Sequence, residues 1–490
     1  MTDRCELRNH PMNAEGSIYA FSQYNKDSFI YFTENREVRI SRLPTKHLTL
    51  DCHWPMRKLY LKETVHFVNY HVDRKVYCVV TSQPKPCLKI MKVGNEPDTM
   101  KIEELDRECG YIPATTERFR LRLYDPENWI EIPDCEIEFE EWEQVTCVRN
   151  VMLASEGTKS GLKGYIALST NYCYGEDVPN RGRIWILDLI EVVPEPDKPL
   201  TRNKIKTVYC GEQKGPVTTI SYSCGLLMSA VGQKIYLWQL KEGNLDGVAF
   251  IDTQVYIHCA ASVKNLILVS DVCKSVTLLR YQQETRTLSM VCRDPRPSEV
   301  FACDFMIDNE LLNFIVADSE RNILVYAHDP EHEDSHGATR LVRRSDYHLG
   351  SHVIGFARLR AKVPSLFIND PNESHYCRRK HITMFCTVDG AIGFLLPIHE
   401  SIYDQFNRLQ NEMTVALPHA AGLNPKAWRL VQQSRPSIAS PCRGIVDGDL
   451  IRRYLMLSVK ERNELAKKIG TTADKILADI QLVQEATLYF

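Results

Sequence analysis

The chain has 490 residues, of which 44% are hydrophobic and 25% are charged, proportions that are ordinary for a globular protein and exclude extensive disorder. Its formal net charge of -3 excludes an overall electrostatic attraction to nucleic acid, so any such contact has to be local or mediated by other subunits. The first residues lack the apolar core of a signal peptide, and no apolar run approaches the ~20 residues of a membrane-spanning helix. We therefore expect a soluble intracellular protein without a membrane partner.

Seventeen cysteines are spread through the chain without a C-x-x-C pair, which excludes a zinc ribbon and a dithiol redox motif. Many of them lie inside apolar runs that are typical of strands, as Cys78 and Cys386 do. We interpret them as small buried hydrophobic residues in a reducing compartment, in preference to a disulfide framework. The sequence also lacks glycine-rich nucleotide-binding loops, and it predicts neither a cofactor nor a catalytic motif.

Up to about residue 400 the chain consists of short strand patterns that recur as a composite unit. In each copy an apolar run ends in a polar turn, often with Asp or Gly, and a second run follows. The copies lie at residues 225–238, 265–281, 311–326 and 382–396, with weaker ones at 76–91 and 165–187. The central copies are spaced by roughly 40 to 46 residues, the length of a four-stranded blade. The sequence thus predicts an all-β fold, a β-propeller of about seven WD40-like blades, in preference to a β-sandwich or barrel.

Two longer intervals, residues 154–183 and 327–380, interrupt this spacing. The second is rich in His, Asp, Glu, Pro and Asn. We expect both intervals to be loop insertions between blades.

After Pro397 the apolar residues follow helical spacing, which predicts a small all-α domain at the carboxyl end. Two stripes are Ile402, Phe406, Leu409, Met413 and Val446, Leu450, Tyr454, Leu457. Ser458 and Glu461 have capping-box spacing, and Gly470 is placed to end the helix that they start. Thr472 then starts a last helix, whose apolar face carries Ile476, Ile480 and Val483.

Four glutamates in one segment, Glu136, Glu138, Glu140 and Glu143, suggest paired catalytic carboxylates at first sight. Ile137 and Phe139 alternate with them, however, and this alternation is typical of an amphipathic strand with an acidic solvent face. Such a face could serve as an electrostatic contact surface.

Two histidine groups suggest a metal site, but we interpret both as exposed loops. His328, His332 and His336 are evenly spaced, but Pro330 and Gly337 argue against a helix that would align them. His375, Cys377 and His381 surround a basic run that has no fourth ligand nearby. We therefore predict no metal site.

The candidates for contact with RNA or a protein partner are five basic residues: Arg343, Arg344, Arg378, Arg379 and Lys380. Their clusters are short and contain few aromatic residues on which bases could stack. Ordinary solvated loops are the alternative interpretation.

Several longer segments resemble the family of the largest subunit of the cleavage and polyadenylation specificity factor. These segments are residues 181–196 (RGRIWILDLIEVVPEP), 212–217 (EQKGPV), 232–238 (GQKIYLW), 250–258 (FIDTQVYIH), 423–429 (LNPKAWR) and 464–472 (ELAKKIGTT). The segment 444–451 (GIVDGDLI) is similar across a wider superfamily. That superfamily also includes the large damaged-DNA-binding protein, which is a ubiquitin-ligase adaptor, and a propeller subunit of a splicing complex.

The resemblance implies a non-enzymatic scaffold in the nuclear machinery that recognises the polyadenylation signal in pre-mRNA. It implies partners as well, namely a WD-repeat subunit and a zinc-finger subunit, with contact to pre-mRNA that is indirect or weak. Residues 1–50 would be the end of a preceding propeller, 51–400 a complete propeller and 401–490 the helical domain. A scaffold of a ubiquitin ligase or splicing complex is the alternative, and a propeller enzyme is the remote one.

Overall fold

The structure is a computed structural model of the chain. It describes residues 18–25, 28–33, 36–42, 58–93, 100–108, 110–176, 178–195, 199–253, 255–308, 311–363, 378–419, 422–430 and 444–487. None of the helices in these ranges has the length and apolar character that crossing a bilayer requires.

Antiparallel sheets form most of the described chain. The first sheet contains β1 (Ile18–Asn25), β2 (Ser28–Thr33) and β3 (Val38–Arg42). Blade 1 contains β4 (Thr64–His71), β5 (Val76–Cys87), β8 (Ala114–Tyr124) and β9 (Glu131–Glu138), with a hairpin of β6 (Lys89–Val93) and β7 (Met100–Glu104) inserted between β5 and β8. Blade 2 contains β10 (Glu143–Ala154), β11 (Leu162–Tyr172), β12 (Gly182–Glu191) and β13 (Asn203–Gln213). Blade 3 contains β14 (Val217–Ser223), β15 (Leu226–Val231), β16 (Lys234–Lys241) and β17 (Asn244–Asp252).

Three further blades follow in chain order. Blade 4 contains β18 (Ile257–Val263), β19 (Leu266–Asp271), β20 (Ser275–Gln282) and β21 (Thr287–Arg293). Blade 5 contains β22 (Val300–Asp308), β23 (Leu311–Asp318), β24 (Asn322–Ala327) and β25 (Val342–His348). Blade 6 contains β26 (Val353–Val363), β27 (Arg378–Thr387) and β28 (Ile392–Leu395). The described residues therefore form six blades, five with four strands and blade 6 with three, where about seven four-stranded blades were predicted. The predicted all-β propeller fold itself is confirmed.

The first strand of each blade lies on the inside of the propeller. Each of the strands β4, β10, β14, β18, β22 and β26 contacts the next one in that order, so the six strands line a common axis. Apolar side chains fill the space between consecutive blades, because each sheet has two faces to bury. Leu121 and Leu123 of blade 1, for example, pack with Ile166 and Leu168 of blade 2.

The polar turns of the repeat have a clear structural reason. In blade 4, Asp271 ends β19, and its Oδ1 accepts hydrogen bonds from the N–H groups of Cys273 (2.9 Å) and Lys274 (3.1 Å). In blade 5, Asp318 ends β23 and accepts from the N–H of Asn322 at 2.8 Å. Aspartate thus fixes the turn between the second and third strands, which explains its recurrence in the sequence.

The two predicted loop insertions are wrong where the structure describes strands, although residues 328–341 do connect two strands and residues 364–377 lie outside the described residues. The interval 154–183 contains β11, and the interval 327–380 contains β25 and β26, so each supplies ordinary blade strands. The strand β25 was hard to recognise because two of its buried residues, Asp346 and His348, are polar.

The carboxyl end is helical, as predicted. Its helices are α1 (Glu400–Ala416), α2 (Pro425–Trp428), α3 (Gly448–Arg452), α4 (Val459–Ile469) and α5 (Ala473–Thr487). A short 3₁₀ turn at Arg453–Met456 follows α3, and two others, Pro199–Arg202 and Glu333–Ser335, lie between strands of the propeller. Ser458 and Glu461 form the predicted capping box, and Gly470 ends α4 with a φ of 79°. The predicted apolar stripes meet in one core that includes Phe406, Tyr454 and Ile480.

The helical region is fixed to the propeller at two places. Ile382 of blade 6 is fully buried against Leu482 and Val483 of α5. Arg429, just after α2, donates to the carbonyl oxygens of His348 (3.2 Å) and Leu349 (3.0 Å) beside blade 5. The helices and the blades therefore form one continuous body along this side.

Candidate interaction surfaces

The outer strands of blade 1 carry facing rows of opposite charge. Arg118, Arg120 and Arg122 lie on β8, and Glu136 and Glu138 lie beside them on β9. The Nη2 atom of Arg122 is 3.2 Å from Oε1 of Glu136, and Nε of Arg118 is 3.2 Å from Oε1 of Glu138. We call these five residues the Arg–Glu ladder. The predicted acidic strand is present, but its charge is balanced by arginines, so it is not an acidic contact surface.

The pKa of Glu138 shows the effect of the ladder. Burial opposes its ionisation, but hydrogen bonds from Arg118 and Lys85 outweigh burial and lower the pKa. A proton donor in catalysis needs the opposite shift, and Glu138 therefore has the properties of a structural ion-pair partner.

Glu143, the first residue of β10, and Glu140, just before that strand, both contact residues of blade 2. Glu143 is completely buried, and its Oε1 accepts a hydrogen bond from the Thr170 hydroxyl at 2.7 Å. Glu140 accepts from the Tyr172 hydroxyl at 2.9 Å and forms an ion pair with Arg183 at 2.7 Å. Burial works against the ionised form of Glu140, but the bonds from Arg183 and Tyr172 lower its pKa overall. These contacts give both carboxylates a structural role between strands.

The predicted contact residues Arg343 and Arg344 lie on β25 rather than in a solvated loop, which corrects the alternative interpretation. Arg343 is nearly buried, with 8% of its side chain exposed, and its Nη2 lies 3.5 Å from Oδ2 of Asp346. Arg344 is 48% exposed and is paired with Asp329. Of these two arginines, Arg344 is therefore the one that a partner can reach.

Arg378, Arg379 and Lys380 are the first residues of β27, where they pair with the end of β26. They therefore belong to a strand of blade 6, and the predicted basic loop is corrected at these positions. Arg343 and Arg344 belong to blade 5, so the two basic clusters lie on different blades. Their role in contacting RNA or a partner stays a prediction.

The first histidine group lies in the connection between β24 and β25, as predicted for a loop. His332 caps the short 3₁₀ turn by accepting the N–H of Asp334 at 3.1 Å, and His336 has a φ of 46°. His375 and Cys377 lie outside the described residues, whereas His381 is part of β27. Within the described ranges, no three His, Cys, Asp or Glu side chains come together as metal ligands.

A cavity of about 1100 Å³ lies between the helices and blades 4, 5 and 6. We call it the propeller–helix groove, and it is lined mainly by apolar side chains, among them Leu278, Leu312, Phe394, Phe406 and Ile480. Arg344 and its partner Asp329 also line it, which brings one predicted contact residue to an apolar surface. The groove has no signal in the sequence, because its walls come from distant segments of the chain and none of these segments carries a motif for it.

A family model and individual relatives of the chain both point to the same protein family. A family model described as the CPSF A subunit region matches residues 118–456. The chain is 42% identical, over 100% of its length, to cleavage and polyadenylation specificity factor subunit 1 of Drosophila melanogaster, of which it covers 34%. It is 33% identical to the probable subunit 1 of Caenorhabditis elegans, with 99% of the chain and 34% of that protein covered.

A fungal protein is similar to the chain as well. Protein cft1 of Schizosaccharomyces pombe is 32% identical, with 94% of the chain and 31% of that protein covered. The chain therefore spans about one third of the length of these relatives.

Proposed function

This chain belongs to the family of cleavage and polyadenylation specificity factor subunit 1, as a match to its carboxyl-terminal portion, and on that premise we propose that it is a non-enzymatic scaffold of pre-mRNA 3′-end cleavage and polyadenylation. The observation that carries the proposal is the family match over residues 118–456, which include most of the last two strands of blade 1, blades 2 to 6 and the helices α1 to α3. The site of action that follows from this proposal is the nucleus.

The fold supports a scaffolding role in physical terms. Blades packed face to face present many loops and strand edges on one rigid body. Arg429 and Ile382 fix the helices to that body, so a partner that contacts both parts meets a preformed surface. The carboxylates of blades 1 and 2 that suggested acid–base chemistry are held in ion pairs and hydrogen bonds within the fold.

The proposal also assigns domains and partners to the chain. Residues 1–50 are the end of a preceding propeller, 51–400 a propeller and 401–490 a helical domain. The partners are a WD-repeat subunit and a zinc-finger subunit of the same complex, and pre-mRNA is held mainly through them. With a net charge of -3, the chain has no overall attraction for RNA, which supports indirect contact.

Affinity purification tests the proposal. The tagged chain is expressed in animal cells, alone and as a chimera in which it replaces the matching third of the Drosophila relative. Proteins that co-purify are quantified against an unrelated propeller carrying the same tag. We expect polyadenylation subunits to be enriched with the chimera, and a subset of them with the chain alone.

The alternative gives a different set of co-purifying proteins. Enrichment of ubiquitin-ligase or splicing components from the chimera, without polyadenylation subunits, would overturn the proposal. A binding curve for RNA carrying the polyadenylation signal, measured at two salt concentrations with the isolated chain, tests the indirect contact. Tight binding that persists at high salt would show direct base recognition instead.

A further inference from the structure

The axis of the propeller contains a small polar cavity of about 250 Å³. Its walls come from the inner strands of five consecutive blades, namely β10, β14, β18, β22 and β26. Tyr222, which also lines it, is 38% exposed, so the cavity lining reaches a residue at the protein surface. The arrangement places groups from five distant segments around one volume.

Two arginines face this cavity from different blades. Arg149 lies on β10 of blade 2, and Arg358 lies on β26 of blade 6. Asp304 on β22 is the acidic residue among those that line it. Even with Asp304 ionised, the lining groups carry one excess positive charge, because guanidinium groups stay protonated.

The guanidinium groups lack the partners that arginines have elsewhere in the protein. Within the described ranges, no carboxylate oxygen lies within 4.0 Å of either group. Arg149 donates only to the Cys259 sulfur, at 3.9 Å, and Arg358 only to the Phe305 carbonyl oxygen, at 3.5 Å, among described residues. Most of their N–H donors are therefore available to a ligand in the cavity.

Two hydroxyl groups complete the lining. Ser221 and Ser262 are 2.9 Å apart, and Ser262 donates to the Tyr222 carbonyl oxygen. The Ser221 hydroxyl therefore donates to Ser262, and rotation of the hydroxyl can redirect it to a ligand. Guanidinium forks together with a hydroxyl match the oxygens of a phosphate group.

We propose that the axial cavity is a binding site for a phosphate group, held by Arg149 and Arg358 with Ser221 as an additional donor. The cavity volume accommodates a phosphate group together with several waters. The ligand is therefore either free inorganic phosphate or the phosphate end of a small phosphomonoester whose remainder lies at the mouth. The site is independent of the scaffolding role proposed above.

Cys259 is the competing counter-ion for Arg149. A hydrogen bond from the Cys303 thiol, together with the nearby Arg149 guanidinium, lowers the pKa of the Cys259 thiol. If Arg149 serves only to pair with the Cys259 sulfur, phosphate does not bind to the parent chain or to Cys259→Ser. If Arg149 binds phosphate, Cys259→Ser keeps or strengthens the binding.

Calorimetric titration of the purified chain with inorganic phosphate, at constant ionic strength in a chloride buffer, tests the site. We expect saturable binding of one phosphate per chain, weakened at least tenfold in Arg149→Met and in Arg358→Met. Asp304→Asn should bind more tightly, because it removes the negative charge beside the site. Arg202→Met is the matched control, since Arg202 is 62% exposed, pairs with Glu191 and lies outside the cavity lining.

A nucleoside 5′-monophosphate provides the second arm. Binding that exceeds that of phosphate and depends on the same arginines identifies a phosphomonoester as the ligand, whereas weaker binding identifies the free anion. The circular dichroism spectrum and unfolding temperature establish that each variant is folded. Absence of saturable binding in the parent chain, or equal binding in the parent and both arginine variants, would overturn the proposal.

Discussion

The arginines of blade 1 and those of the propeller axis place the same side chain in opposite surroundings. In the Arg–Glu ladder, Arg122 lies within 3.5 Å of three carboxylates, those of Glu63, Glu131 and Glu136. At the axis, Arg149 and Arg358 have no carboxylate within 4.0 Å among described residues. Charge alone therefore does not identify a site. An arginine surrounded by carboxylates has few N–H donors left for a ligand, whereas an arginine without a carboxylate partner keeps most of them.

Asp318 extends this comparison to a buried carboxylate that is held by neutral donors, and it gives the largest expected effect. Burial raises its pKa to about 6, although the Asn322 side chain and N–H donate to it. The unfolded chain loses this proton at a lower pH than the folded chain does, so stability falls as pH rises from about 4 to about 6. We expect Asp318→Asn to gain up to about 3 kcal/mol relative to the parent between pH 4 and pH 7.

Denaturant unfolding of the parent and Asp318→Asn at several pH values measures this gain. The constant cost of the changed hydrogen bond to Asn322 cancels when the difference between the two proteins is followed with pH. Parallel stability curves for parent and variant would contradict the expected titration of Asp318.

The second largest effect is expected from the Arg–Glu ladder, where Arg122→Ala should lower the free energy of unfolding. Only 14% of the Arg122 side chain is exposed and 9% of Glu63, so Arg122→Ala leaves a nearly buried carboxylate with less compensation. We expect a loss of about 2 kcal/mol in the free energy of unfolding, below the full cost for a buried pair because Arg120 remains nearby. Arg118→Ala is the matched control on the same strand, and it should cost less than about 1 kcal/mol because Glu138 is 43% exposed.

Thermal and denaturant unfolding midpoints of the two ladder variants make this measurement. Equal losses for Arg118→Ala and Arg122→Ala would show that burial does not determine how much each ion pair contributes to the free energy of unfolding.

The axial arginine should behave differently from the ladder arginine. Arg149→Met removes a charge without a carboxylate partner and keeps most of the side-chain length, so we expect stability within about 1 kcal/mol of the parent, or above it. The measurement is the unfolding midpoint in phosphate-free buffer. A loss as large as that of Arg122→Ala would show that Arg149 stabilises the propeller as the ladder arginines do, although it has no carboxylate partner.

The sequence predicted those elements of the structure that have a local pattern of capping or apolar residues. The helix over Val459–Ile469 followed from Ser458, Glu461 and Gly470, because caps are local. The repeat followed from the apolar runs of second and third strands, such as β15, in which all six residues are buried. The outer strand β25 was missed because it buries polar groups, so that hydrophobic alternation does not mark it.

The candidate sites were less predictable for a related reason. The basic residues Arg343 and Arg378 were recognised by type, but only the fold shows that Arg343 is paired with Asp346. The axial cavity combines Arg149 with Arg358, and nothing local in either segment indicates that they share a volume. Convergence of distant strands is a property of the ring and has no sequence motif.

The smallest expected effect concerns the exposed end of the ladder. Glu138 is 43% exposed and contacts Arg118, Arg120 and Lys85. Because water screens such pairs, we expect Glu138→Ala to cost less than about 1 kcal/mol in dilute buffer, and less still in about 1 M salt, where the Debye length is about 3 Å. Unfolding of parent and variant at both salt concentrations measures this. An effect that does not shrink with salt would show that Glu138 acts through packing or hydrogen bonding, and the outer ladder would then resemble the buried contacts of Glu143 more than a set of surface ion pairs.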